Sequence, residues 1–155
     1  MMASAISCDK VKDSRETNED MKDPVHEFLR KRGSGAHVIR GGLVGLVESW
    51  EKTVQSVENG YSLTLDDYLN DLDARQLIAE VWPIAGDDQR AAVAPRLGRA
   101  DEMMRRATLP TPVCLWGREA AEREGWTPLQ NWWYFARPIQ ADAELLSDID
   151  ELIES

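Results

Sequence analysis

The sequence predicts an all-α protein: a single compact domain of five to seven helices over residues 23–155, behind a disordered N-terminal leader over 1–22. Three observations carry this reading. Apolar residues recur at steps of three and four in several stretches, the spacing that lines one side of a helix. Capping residues precede those stretches, and glycines or prolines close them. The alternating strand and helix patterns of a parallel α/β fold are absent.

The leader holds nine charged residues among its 22 and no apolar run. It therefore offers little surface to offset the entropy of ordering, and it resembles neither a secretory signal nor a transit peptide. A chain of 155 residues is about one domain, able to bury roughly two-thirds of its unfolded surface without a metal or disulfide. Its two cysteines, Cys8 and Cys114, lie far apart, and free thiols in a reducing, cytoplasmic setting are expected. No apolar stretch approaches the roughly 18 residues that span a bilayer.

Asp23-Pro24 is a helix start, an acceptor at the N-cap followed by a proline whose missing N–H costs nothing at the first position. Val25, Phe28 and Leu29 give this helix its apolar side, and Gly33 to Gly35 end it. The strongest pattern follows. Leu43, Leu46, Val47, Trp50, Val54 and Val57 form one helical stripe, with Glu48, Glu51, Lys52 and Gln55 outside it. Gly41 and Gly42 precede this helix and Asn59-Gly60 closes it. Gly41, Gly42 and Gly45 do not make a phosphate cradle, because no Lys-Ser/Thr pair follows them.

Two start signals come next. Thr64 caps a short turn containing Leu65, Tyr68 and Leu69, and Asp73 with Gln76 forms a second capping box, flanked by the staple pair Leu72 and Leu77. The expectation is a short turn and then a new helix from Asp73 to about Trp82, where Pro83 discourages continuation. Gly86-Asp87-Asp88 opens a further helix carrying Val93, Leu97, Ala100, Met104 and Ala107, with a kink or break expected near 91–96 because of Pro95. Its outer side bears Arg90, Arg96, Arg99, Arg105 and Arg106, which could answer the protein's own acidic groups. Residues 109–117 read as loop or extended chain, and 118–124 as a short helix stopped by Gly125. Thr127-Pro128-Leu129-Gln130 is another capping pattern, predicting a helix over 128–136, although Trp132-Trp133-Tyr134-Phe135 also fits a buried strand. The last helix runs from Asp142 to about Glu154, with Leu145, Leu146, Ile149, Leu152 and Ile153 inside.

Charge is unevenly placed. The net −10 comes from residues 41–86, with 2 basic and 8 acidic groups, and 139–155, with none and 6, while the other segments are nearly balanced. Such blocks bear on partner choice and not on fold. Direct binding of nucleic acid or of an anionic membrane is not expected, since neither block offers cations for phosphates.

Two groups are candidate sites. Asp66, Asp67 and Asp71 are candidate contacts for a basic partner. They do not form a calcium loop, because the register from Asp67 puts Leu69 at the third position and that from Asp71 puts Gln76 at the sixth. Trp116, Trp126, Trp132 and Trp133 form a tryptophan-rich corner, either a platform for a ligand or a corner of the core. His26 and His37 lack neighbouring ligands. Cys114 lies between apolar flanks that raise a thiol's pKa, so it reads as buried and inert. No metal or cofactor is expected.

The functional expectation is a small acidic cytoplasmic interaction protein, for example an immunity or antitoxin-like inhibitor that covers a basic partner. The alternatives are a DNA mimic, disfavoured because 18 basic residues remain, and an enzyme or small-ligand binder using the tryptophan-rich corner. An enzyme ranks last, since no nucleophile with its base, no metal set and no phosphate loop is visible.

Overall fold

A computed structural model describes residues 23–155. The predicted leader and Cys8 lie outside the described residues. The described chain is helical, with six α-helices and one two-stranded sheet. Among the described residues, contacts gather into two units, one up to Gly42 and one from Leu43 to Ser155.

In the first unit, α1 (Pro24–Lys31) starts where expected. The Asp23 carboxylate accepts hydrogen bonds from the backbone N–H of Val25 at 2.8 Å and of His26 at 3.4 Å, satisfying donors that a helix N-terminus leaves unpaired. The next helix, α2 (Ala36–Asn59), starts in this unit and is interrupted at Gly42, whose φ of 57° and ψ of −150° are not helical. A Cβ there would meet His26 Nε2 at 3.3 Å, so both dihedral and space favour glycine.

The second unit holds the core. Beyond Gly42, α2 buries Leu43, Leu46, Val47, Trp50, Val54 and Val57, the stripe read from its spacing. After Gly60, Tyr61 makes a parallel bridge to Ala141. Tyr61 N–H donates to the Gln140 carbonyl at 3.0 Å, and Asp142 N–H to the Tyr61 carbonyl at 2.9 Å.

Helix α3 (Leu65–Val81) corrects the predicted division of this region. It is continuous, and its cap is Thr64, which exchanges hydrogen bonds with Asp67 in a capping box. Asp73 and Gln76 are interior positions. No glycine or proline separates the two signals, and continuity buries Tyr68, Leu69 and Leu72 along one rod. Of the 17 residues of α3, only Asp66 and Asn70 are fully exposed. A short 3-10 turn, Trp82–Ile84, follows.

Helix α4 (Asp87–Arg106) runs through Pro95 without the expected break. Ala91 and Pro95 both face solvent, so the carbonyl that loses its helical partner can be hydrated, which removes most of the penalty. Strand β1 (Thr108–Pro110) pairs antiparallel with β2 (Ala136–Pro138), Leu109 opposite Arg137. Between them, α5 (Arg118–Glu124) ends at left-handed Gly125. The predicted helix over 128–136 does not form. Thr127 and Asn131 close a turn on each other, and 132–135 is a 3-10 segment. Its four aromatic side chains reach different neighbours, which a one-sided helix would not allow. Helix α6 (Ala143–Glu154) packs on α3 with Leu145 and Ile149 buried.

Trp50 is completely buried and Glu51 sits at the helix edge, so their removal separates core from surface. Trp50→Ala should cost about 3 to 5 kcal/mol. Glu51→Ala should cost less than about 1 kcal/mol. Urea midpoints for the two variants check this, and equal midpoints would contradict it.

Candidate functional site

Helix α3 is polar in sequence and enclosed in the fold, so its polar side chains point at neighbouring elements instead of water. Each is matched. Asp71 accepts from Tyr61 Oη at 2.5 Å, Asp73 from Tyr134 Oη at 2.5 Å and from Trp116 Nε1 at 3.3 Å. Gln76 accepts from the Asn131 amide at 3.0 Å and donates to Glu80 at 2.8 Å. The Tyr68 hydroxyl donates to the Ala136 carbonyl at 2.7 Å.

Arg75 makes the largest of these connections. Its guanidinium grips Asp101 of α4 with two hydrogen bonds, 2.9 and 3.0 Å, the bidentate geometry that suits Arg to carboxylates. The pair is mostly withdrawn from water, with side-chain exposures of 13% and 19%. Asp101 also accepts from Trp50 Nε1 at 2.9 Å, and the guanidinium lies 4.6 Å from the Trp133 ring centroid. One carboxylate thus ties α2, α3 and α4 together, beside an aromatic wall.

The tryptophan corner is a chain of ring contacts. Trp50 meets Trp132 at 6.4 Å, Trp132 meets Trp133 at 5.9 Å, Trp133 meets Tyr134 at 6.2 Å, and Tyr134 meets Trp126 at 4.4 Å. Trp133 is buried and its Nε1 has no hydrogen-bond partner. Trp132 is half-buried, with the Arg105 guanidinium 4.0 Å from its ring centroid. Trp126 is also half-buried, whereas Trp116 is 37% exposed. Of these four tryptophans, Trp116 alone is exposed.

The three carboxylates singled out from sequence differ in situation. Asp66 is free and exposed, Asp67 is engaged in the capping box, and Asp71 holds Tyr61. Arg75, Asp101 and the three tyrosines were not legible as a group. Arg75 is one of two basic residues between 41 and 86, but that count alone does not point to Asp101. Cys114 is buried, and burial pushes its thiol pKa up, which suits an inert position. The Arg96 guanidinium, hydrogen-bonded to Glu51, holds that carboxyl below its ordinary pKa. Among the described residues, no group of three His, Cys, Asp or Glu side chains is placed to hold a metal ion, and no helix is long and apolar enough to cross a membrane.

In comparisons with known proteins, the chain matches no family model, no curated protein and no solved structure.

All three tyrosines have their phenolic pKa raised, chiefly by burial, with hydrogen-bonded Asp71 and Asp73 adding to the shift at Tyr61 and Tyr134. A raised pKa stabilises the protonated phenol in the fold. The contribution is therefore intact below the unfolded value of about 10 and is lost as pH rises above it, because the unfolded chain releases those protons first. Tyrosinate absorbance should accordingly appear only together with loss of helical circular dichroism. A phenolic titration near pH 10 in protein that keeps its helical signal would contradict this placement.

Proposed function

We propose that this chain is a small acidic interaction protein that covers a basic surface on a partner protein, in the manner of an immunity or antitoxin-like inhibitor. The observation that carries this is the meeting of its two acidic segments. The Tyr61–Ala141 bridge and the packing of α6 on α3 set the approach to α3 beside the start of α6. Asp66, Asp142 and Glu144, exposed and with carboxylates that make no hydrogen bond among the described residues, fall in these adjoining segments.

Much of the positive charge is used internally, which supports the same reading. Arg75, Arg96 and Arg137 pair with Asp101, Glu51 and Asp150 on other elements, and Arg90 and Arg106 pair with Asp87 and Glu102 on their own helix. The acidic excess is left on the surface, where it attracts a basic partner. A cytoplasmic setting belongs to the same proposal and is supported by the buried free thiol of Cys114.

The test uses exposed carboxylates whose side chains make no hydrogen bond among the described residues. A partner captured from native lysate at low salt should be basic. The variant Asp66→Asn, Asp142→Asn, Glu144→Gln should bind it with association slowed about tenfold and dissociation little changed. Affinity of the parent protein should fall as salt approaches about 0.5 M, where screening shortens the field to about 4 Å. An acidic partner, or binding indifferent to salt and to all three substitutions, would overturn the proposal.

A further inference from the structure

A groove runs between α2 and α4, with Ile139 and Gln140 at one end. Its floor is apolar, with Val54 and Ala100 at one end and Met103 and Ile139 towards the other. Met103 is 37% exposed and Ile139 48%. The two helices run in the same direction here, since Glu51 meets Arg96 at one end and Val57 lies with Ala107 at the other.

The walls carry opposite charge. On the α2 side stand Glu51 and Glu58, and on the α4 side Arg96, Arg99 and Arg106. Glu51 and Arg96 satisfy each other, and Arg106 is held by Glu102. Glu58 and Arg99 are exposed and form no salt bridge among the described residues. One acid and one base are thus left on facing walls of a single apolar groove.

We propose that this groove is a homodimer interface occupied by the same groove of a second copy. A twofold axis along the groove lays the acidic wall of each copy over the basic wall of the other. Arg99 of one copy then meets Glu58 of its mate, and Met103 and Ile139 leave water. Isologous contacts require a self-complementary patch of this kind. A uniformly acidic or basic partner would leave one wall facing like charge, which disfavours such an occupant.

Sedimentation velocity on the full chain, from about 1 to about 100 μM, covers the range expected of a modest interface. The protein should pass from monomer to dimer across that range. Arg99→Glu and Glu58→Arg should each weaken dimerisation at least about tenfold, because each places like charges opposite one another. The double charge swap should recover most of the loss. All three variants alter exposed side chains and should keep the parental circular dichroism and melting temperature. A parent that stays monomeric at the top of the range, single variants that dimerise like the parent, or a double swap as weak as the singles would each overturn the proposal.

Discussion

The carboxylate of Asp101 is the point on which three helices converge. It receives two hydrogen bonds from Arg75 and one from Trp50, while Arg75 also covers the face of Trp133. Removing a buried carboxylate from water is costly, and the cost is offset only when its lone pairs are met with good geometry. Here they are, so the site is specific: α2, α3 and α4 must adopt one mutual arrangement for every group to be satisfied. An apolar substitute at these positions would fill space equally well and would enforce that arrangement less.

The same logic extends along α3. A helix enclosed on nearly every side cannot follow the rule of one apolar stripe, and here polar side chains lie among its buried apolar ones. Asp71, Asp73, Arg75 and Gln76 occupy consecutive or near-consecutive positions and therefore point in different directions. Each reaches a different part of the fold. The aromatic segment 132–135 is its counterpart: four adjacent bulky side chains radiate from a tight 3-10 turn, and three of them are buried. Where the two segments meet the rest of the core, Tyr61, Tyr134 and Trp116 have their polar ends held by carboxylates. The buried indole N–H of Trp133 stays unsatisfied.

This explains which parts of the molecule could be read from residue order. One-sided helices announce themselves, so α2 beyond Gly42, α6 and the start of α1 follow from spacing and caps, and α5 from the glycine that stops it. Helix α3 does not, because its inward polar residues break the periodicity and its second capping signature, Asp73 and Gln76, is spent on Tyr134 and Asn131. The helix expected after Thr127 failed for a related reason: local capping chemistry is present, but burial of the following rings in several directions outweighs it. Pro95 misled in the opposite sense, since its effect depends on whether the freed carbonyl faces water. The candidate residues themselves were visible as acidic blocks and as a tryptophan-rich stretch. The junction of Trp50, Arg75 and Asp101 was not, because its contacts span 51 and 26 positions, and local spacing carries no information at that range.

A double-mutant cycle on Arg75→Ala and Asp101→Ala tests the central claim most directly. If the pair organises the three helices, each single change strands a buried charge and the double change relieves part of that penalty. The coupling energy from denaturant unfolding should then be at least about 1.5 kcal/mol, within the range found for residues in direct contact. Additivity to within about 0.5 kcal/mol would show that the two side chains act independently and that the arrangement of α2, α3 and α4 rests on apolar packing alone.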